Sequence, residues 1–172
     1  MDRWFGDEDN ALNQRIRDNF EELVESASTG DLDTWTHTPD GRLALIILLD
    51  QFRRHIYRGT AAAFSKDKQA LKISIEGTIT GDHSKLSAIQ RMIFFMPLQR
   101  SESLKIQDKS VAVFRALAES VSATLRETFL TVANFAELRR DIVAEFGRFP
   151  HRNPILGRDD TAAETAYMAG NN

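Results

Sequence analysis

Apolar residues recur along most of this chain at the spacing of an α-helix. In the first segment they fall three or four residues apart, at Leu12, Ile16, Phe20, Leu23, Val24 and Ala27. Similar spacing continues over residues 43–56, 64–78, 86–94, 104–121 and 129–146, and a short segment follows at 159–168. A period of about 3.6 residues places such positions on one face of a helix. The pattern therefore predicts helices along most of the chain.

Turn-forming residues stand between these segments. Thr38 and Pro39 suit the N-cap and the first position of a helix. A later helix is predicted to start at Asp82 or Ser84 and to end before Pro97, because proline disrupts a helix interior. The last two long helices are predicted to begin near residues 101 and 129. The glycines and prolines thus fall between the predicted elements.

This organisation predicts an all-α fold of about seven helices, packed as antiparallel hairpins. A length of 172 residues suits a single helical domain over residues 1–172. Residues 167–172 end in small polar residues and are predicted to form a frayed tail.

Composition excludes several classes of protein. The net charge is −3 and the pI is about 5.8, so neither nucleic acid nor a membrane surface is an expected partner. The longest apolar run, Leu43–Leu49, is far shorter than the roughly 20 residues of a membrane span. With no apolar leader at residues 1–10, a cytoplasmic location is expected. Absence of cysteine excludes disulfides, zinc thiolates and cysteine nucleophiles.

The common catalytic and cofactor motifs are absent from the sequence. It contains no phosphate-binding glycine loop with lysine, no dinucleotide fingerprint, no H-E-x-x-H and no G-x-S-x-G. None of the four histidines has a glutamate three residues before it, so the di-iron signature of helical bundles is missing. No cofactor and no metal site are therefore predicted, and no catalytic residue is assigned.

Asp50 is a polar residue on an apolar helix face. It follows Leu43, Ile46 and Ile47 at spacings that place all four on one stripe. A carboxylate there is costly to bury without a partner, and Arg54 stands four residues later. Asp50 is either a general base or ligand-orienting acid, or the internal partner of an arginine. The cost of burial favours the second interpretation.

The segment FGRFPHRNPILGR, residues 146–158, concentrates three arginines, a histidine and an asparagine between glycines and prolines. Guanidinium groups suit carboxylates, phosphates and backbone carbonyls, and a histidine here would titrate near neutrality. An anion pocket and a buried structural knot both fit this composition. In either case the segment is predicted to close the last long helix and to reach back towards Asp50 and Glu102.

Five segments together are distinctive: WFG, TPDGRLALIILLDQF, IYRGT, MPLQRSES and FGRFPHRNPILGR. They resemble the bacterial DUF924 family, and the resemblance covers nearly the whole chain. It implies a tetratricopeptide-like helical fold with paired antiparallel helices, and it implies no established activity. The family pattern matches this chain at Arg42, Asp50, Gln51, Tyr57, Arg58, Glu102, Gln107, Arg148, His151, Arg152, Asn153 and Arg158.

The chain also departs from the pattern that the resemblance implies. The residues at the differing positions are Arg53 for proline, His55 for asparagine, Gln99 for glutamate, Arg100 for histidine, Ser103 for aspartate and Arg139 for histidine. These changes remove histidines and carboxylates and add arginine. An anion site in this chain would then take a more negative ligand than is usual for the family. That hypothesis requires Arg100 and Arg139 to point away from bulk solvent.

The first functional hypothesis is a small-molecule site that binds a carboxylate or a phosphate. Its candidate residues are Asp50, Gln51, Arg54, Tyr57, Glu102, Arg148, His151, Arg152, Asn153 and Arg158. In an enzyme, His151 would act as acid or base with Asp50 orienting it. The spacing specifies no reaction.

The second hypothesis is a tetratricopeptide-like protein-interaction module, since such folds present concave surfaces to peptides. Such a module predicts an exposed groove lined by the arginines. A third interpretation makes the polar motifs structural fasteners, with Arg148 and Arg152 buried and every donor bonded to protein. The expected partner is thus a small anionic ligand or another protein. Nothing in the sequence sets the oligomeric state.

Overall fold

The computed structural model describes residues 7–170, and every regular element in that range is a helix. The α-helices are α1 (Asp7–Thr29), α2 (Pro39–Ile46), α3 (Arg53–Ile56), α4 (Asp67–Ile79), α5 (Ala88–Gln99), α6 (Leu104–Ser120), α7 (Ala123–Phe146), α8 (Asn153–Leu156) and α9 (Ala162–Gly170). Short 3-10 helices lie at Asp33–His37, Ala61–Phe64, Asp82–Lys85 and Pro150–Arg152. The predicted all-α fold is confirmed, and the number of helices is close to the seven expected. Over residues 7–170, no helix has both the length and the apolar character needed to cross a membrane.

One continuous helix crosses residues 39–56 and changes its winding midway. Thr38 caps it as predicted, because its hydroxyl accepts the Gly41 N–H at 3.1 Å. α2 then passes into a π-helical turn, Ile47–Phe52, and the helix resumes as α3. A π-helical turn is wider than an α-helical one and occurs frequently at functional sites. Asp50 lies within this turn.

α5 begins and ends later than the sequence predicts. The segment Asp82–Lys85 forms a 3-10 helix, and Ser87 caps α5 through a capping box with Gln90. Pro97 lies inside the helix, which ends at Gln99. Pro97 lacks the N–H that would bond to the carbonyl of Ile93, and only Leu98 and Gln99 follow it before the helix ends.

Two other helix starts also differ from the predictions. α6 begins at Leu104 with Ser103 as its N-cap, not at Ser101. α7 begins at Ala123, six residues before the predicted Phe129, because its first turns are largely exposed and carry little apolar periodicity. Only residues 121 and 122 separate these two long helices.

The end of α5 is buried in the core of the protein. The largest fully buried side chains of the protein include Phe94, Phe114, Phe129 and Phe149. α6 and α7 pack extensively on each other, and α1 packs on the π-helical turn and α3. α5 contacts α2 and α4 as well as α6 and α7, so it joins these two groups of helices. The tetratricopeptide-like arrangement of hairpins stays a prediction.

The predictions for the two ends of the chain fall partly outside the described residues. Trp4, the side chains of Asp7 and Asp9, and residues 171–172 are not described. The predicted frayed tail starts inside α9, which continues through Gly170. Its Tyr167 ring lies 5.1 Å from the ring of Phe146, so this part of the segment packs on α7.

Candidate functional site

Asp50 is fully buried in the π-helical turn, on the same face as Leu43 and Ile46. Arg54 donates from Nε to Asp50 Oδ1 at 3.2 Å, and the Gln51 amide donates to Oδ2. The i,i+4 pair that the sequence offers is therefore formed inside the protein. A buried carboxylate is stable only with such partners.

Asp67, at the start of α4, links Arg54 to the segment 146–158. Arg54 Nη2 lies 2.5 Å from Asp67 Oδ1, and Arg152 Nη1 lies 3.3 Å from Oδ2. Burial raises the pKa of Asp67 in spite of the two arginines, which act to lower it. A chain of alternating charges therefore runs from Asp50 through Arg54 and Asp67 to Arg152.

Arg152 is buried between two aromatic rings. Its guanidinium carbon lies 4.8 Å from the centroid of Phe64 and 4.6 Å from that of Phe149. Nη2 also donates to the carbonyl oxygen of Arg100 at 3.1 Å. Arg152 therefore fixes the segment 146–158 against the end of α5.

Glu102 accepts hydrogen bonds from Arg158, the last arginine of that segment. Arg158 donates to both carboxylate oxygens, at 2.8 and 3.0 Å, and the Phe149 N–H donates to Oε1 at 2.9 Å. Burial acts to raise the pKa of Glu102, but these hydrogen bonds and the nearby positive charge outweigh it and lower the pKa. The segment therefore closes α7 and reaches back to Glu102, as the sequence predicts.

A cavity of about 450 Å³ opens beside these residues. Its apolar wall includes Phe64, Leu71, Pro97 and Leu156. Its charged wall is formed by Asp67, Lys68, Arg100, Glu102 and Arg152. Most small-molecule sites have this mixture of an apolar surface and a few directed polar groups.

Among the charged side chains of the cavity that are not exposed to solvent, Arg100 has the fewest partners within the described residues. Its guanidinium makes no hydrogen bond to any residue in the range 10–170. Its Nε lies 3.7 Å from Asp50 Oδ1, which is an ion-pair distance but too long for a hydrogen bond. Burial lowers the pKa of Arg100, against the attraction of Asp50. The hydrogen-bond donors of Arg100 are therefore available to a ligand.

Four arginines surround this point and are called here the arginine cluster: Arg54, Arg100, Arg139 and Arg152. Arg139 donates to the Gln99 side chain, and burial, reinforced by the positive charges of the other three, lowers the pKa of Arg139 to about 10. Burial likewise lowers the pKa of Arg152 to about 10. Only Asp50 and Asp67 balance the arginine cluster, because Glu102 is paired with Arg158. The interior is positive, and neither Arg100 nor Arg139 points into bulk solvent.

Three candidate residues have their partners elsewhere. Arg148 forms a two-bond fork with buried Glu164, at 2.6 and 2.8 Å, and also bonds the Asp159 carbonyl. The Tyr57 hydroxyl donates to Glu25 on α1 at 2.7 Å. Asn153 donates to Asp160 at 2.6 Å. Of the predicted site residues, Glu102 and Arg152 line the cavity. Asp50, Gln51, Arg54 and Arg158 lie behind the wall, bonded to the charged residues of this network, and Arg148, Tyr57 and Asn153 pair elsewhere.

His151 is not suited to acid–base work near neutral pH. Its side chain is exposed, with the ring against Phe149. Partial desolvation, and then the charges of Arg152 and Arg139, lower the pKa of His151 below its ordinary value, which acts against the expected titration near neutrality. No hydrogen bond between Asp50 and His151 occurs in the described structure. The predicted acid–base pair is therefore not formed.

Two of the departures from the family pattern, Arg53 and His55, lie beside α1, whereas Ser103 lines the cavity. Arg53 is buried and donates to Glu25 at 3.0 Å, to Ser28 at 2.9 Å and to the Ala62 carbonyl at 2.9 Å. The His55 ring lies 2.8 Å from Asn13. These two residues fasten α1 to the helix over residues 39–56 and do not reach the cavity.

Sequence reasoning missed Asp67, Lys68 and Phe64. An aspartate in the first turn of a helix is usually explained by the helix dipole, so Asp67 gave no sign of its tertiary role. Lys68 and Phe64 likewise fit an ordinary helix surface. No group of three or more acidic or histidine side chains in the described part of the chain could hold a metal ion.

Comparison with known proteins gives a family and a similar structure. The model of a family described as bacterial protein of unknown function (DUF924) matches residues 1–172. A solved structure, titled as a protein of unknown function, ATU0120 from Agrobacterium tumefaciens, is 32% identical and has a TM-score of 0.83. The match covers 97% of this chain and 88% of that one. No curated protein matches the chain. With the family model matched from end to end, this chain belongs to the DUF924 family.

Proposed function

We propose that the cavity beside Arg100 binds a small anionic ligand, a carboxylate or a phosphate. The observation that carries this proposal is the Arg100 guanidinium, which faces the cavity without a hydrogen-bond partner in residues 10–170. An incompletely paired cation inside a protein is costly, so its presence favours a missing anionic partner. Guanidinium groups bind carboxylate and phosphate oxygens in a fork, which gives both affinity and orientation.

The rest of the cavity supports the same ligand class. Phe64, Leu71, Pro97 and Leu156 offer apolar surface for the uncharged part of a ligand. A volume of about 450 Å³ falls within the range of small-molecule sites. Glu102 does not repel an anion strongly, because Arg158 neutralises it through two hydrogen bonds.

The experiment is a thermal-shift screen of the purified protein against phosphates and carboxylates. A ligand at 100 times its Kd adds about 2.7 kcal/mol to the free energy of unfolding, which raises Tm by about 5–10 °C at this size. Arg100→Gln is expected to abolish the shift. Arg115→Gln is the matched control, because Arg115 pairs with Glu137 on the surface of α6 and α7.

Two results separate a binding role for Arg100 from a structural one. Arg100→Gln removes one 3.7 Å ion pair with Asp50 but also relieves repulsion from the three other arginines of the cluster, and Arg100 donates no hydrogen bond to the described residues. Without ligand, the variant is therefore expected to melt close to the Tm of the wild type. A ligand shift that persists in Arg100→Gln, or the absence of a shift with every anion, would contradict the proposal.

The alternative function is a tetratricopeptide-like interaction module in which the polar motifs act as fasteners. Two exposed apolar residues on α7, Phe135 and Leu138, favour it, since each is 52% exposed. Arg148, with its fork to Glu164, also fits the role of a fastener. No anion shift, together with an Arg152→Ala variant that melts far below the wild type, would favour this alternative.

A further inference from the structure

We infer that the ligand is a dianion, a phosphate monoester with a small non-aromatic organic part. This inference rests on the proposed function and narrows its ligand class. It follows from three features of the cavity: the excess of charge around it, the number of its donors, and the nature of its apolar wall.

The excess of charge sets the charge of the ligand. Lys68 on the cavity wall is exposed and solvated, so it is left out of this balance. The arginine cluster carries four positive charges, and Asp50 and Asp67 carry two negative ones. Glu102 and Arg158 form an ion pair, so together they contribute no net charge. A monocarboxylate would leave one positive charge uncompensated in a buried site, whereas a dianion neutralises the excess.

Donors of more than one residue line the cavity. Arg100 presents a guanidinium without hydrogen bonds to the described residues from the end of α5, and Arg152 lies on the same wall. Ser101 and Ser103, just before α6, add two hydroxyl groups to the lining. A tetrahedral phosphate offers three oxygens in different directions, while a carboxylate offers two in one plane. The arrangement therefore favours phosphate.

The apolar wall favours a non-aromatic organic part. Phe64 is the aromatic residue of the wall, and its ring already packs against Arg54 and Arg152, at 5.1 and 4.8 Å. Stacking of a nucleobase on Phe64 would compete with these two cations. Leu71, Pro97 and Leu156 offer aliphatic surface without stacking faces. A cavity of about 450 Å³ also exceeds the needs of inorganic phosphate alone.

The test measures the Kd of the wild-type protein for glycerol 3-phosphate, sulfate and acetate by calorimetry at pH 7.5 and pH 5.0. A phosphate monoester has a second pKa of about 6, so about a tenth remains dianionic at pH 5.0. Glycerol 3-phosphate is expected to bind about tenfold more weakly at pH 5.0. Sulfate stays dianionic at both pH values and controls for titration of Asp67 and other protein groups, so its affinity is expected not to fall. Acetate is expected to bind at least about tenfold more weakly than glycerol 3-phosphate at pH 7.5.

The variant Arg139→Gln tests whether the excess positive charge around the cavity sets the preference for a dianion. Arg139 belongs to the arginine cluster but does not line the cavity, so Arg139→Gln lowers the excess charge to one. Its preference for glycerol 3-phosphate over acetate is expected to fall at least about threefold, with binding retained. Arg140→Gln, at the exposed neighbour that pairs with Asp108, is expected to keep the wild-type preference.

The outcomes distinguish this inference from the proposed function. Equal affinity for acetate and glycerol 3-phosphate, with no loss at pH 5.0, would overturn the dianion and leave an anion site in place. Absence of binding by all three anions would overturn both. Weaker binding of glycerol 3-phosphate at pH 5.0, with sulfate unchanged, supports the dianion.

Discussion

Among single residues, Asp50 has the largest influence on the buried charges. It is the carboxylate nearest to Arg100, and it also holds Arg54 in place. With Asp50 removed, the four arginines of the cluster would face Asp67 alone. The neutral Gln51 amide would also lose its acceptor.

Asp50→Asn is therefore expected to lower the free energy of unfolding by about 3–5 kcal/mol, as breaking a buried pair does. Urea unfolding at pH 7 measures the loss. Asp108→Asn serves as the control, because Asp108 is 56% exposed in its pair with Arg140, and its loss should stay below about 1 kcal/mol. Equal losses in the two variants would mean that Asp50 is not held as a buried partner.

Sequence reasoning identified some of these residues and missed others for definite reasons. Asp50 was visible because one carboxylate interrupts an apolar stripe, and Arg54 because it stands four residues later. Asp67 and Arg139 were not assigned to the site, because their roles depend on pairing with residues distant in the chain. Arg148 was misplaced because composition cannot show which acid an arginine meets, and Glu164 lies sixteen residues away.

At the level of elements, the continuous helix over residues 39–56 shows what the apolar pattern can and cannot predict. The start at Thr38 and the end near residue 56 follow from caps and periodicity. The π-helical turn Ile47–Phe52 does not, because all its residues would also fit an α-helix. The same limit explains α5, where Pro97 was read as a stop although the last turn of a helix accepts it.

The start of this helix depends on a close backbone approach at Gly41. A Cβ on Gly41 would lie 2.1 Å from the Trp35 carbonyl oxygen and 2.8 Å from Thr38 Oγ1. Gly41→Ala is expected to lower the free energy of unfolding by about 1–2 kcal/mol, since the steric cost exceeds the gain in helix propensity. Gly170→Ala, with nothing within 4 Å of its Cβ, is the control for urea unfolding. A Gly41→Ala protein as stable as this control would contradict the close approach.

Over the whole molecule, charge is distributed unevenly. The chain carries a net charge of −3, yet its interior beside α5 is positive. The ion pair of Arg158 with Glu102 holds the C-terminal segment over residues 147–170 onto the other helices, and the pair of Arg148 with Glu164 closes this segment on itself. The Arg148 hydrogen bonds, followed by the Thr161 N–H, lower the pKa of Glu164 strongly. Burial acts to raise the pKa of Glu102, but its bonds to Arg158 and Phe149 outweigh it and lower the pKa, so both the internal closure of this segment and its attachment are sensitive to acid.

The pH dependence follows from the lowered pKa values of Glu102 and Glu164. A carboxylate with a folded-state pKa below its unfolded value of about 4.3 stabilises the fold above that pH and loses the effect as pH falls towards the folded-state pKa. Urea midpoints of the wild type are expected to fall from pH 5 to pH 3. Glu164→Gln is expected to be less stable than the wild type at pH 7 and to lose less on acidification.

Glu119→Gln, at an exposed position on α6, is the matched control and is expected to keep the wild-type slope between pH 5 and pH 3. Parallel slopes in Glu164→Gln and Glu119→Gln would show that the Arg148–Glu164 pair does not contribute to acid sensitivity.

The ion pair between Asp67 and Arg152, whose partners are 85 positions apart, has a consequence for biosynthesis. During translation, Asp50, Arg54 and Asp67 are synthesised long before Arg152. The cavity wall therefore stays incomplete until the C-terminal part of the chain has been made. A chain that stops before residue 152 lacks Arg152, and with it one side of the cavity wall. Ligand binding would therefore separate finished molecules from truncated ones, even where the two have similar helical content.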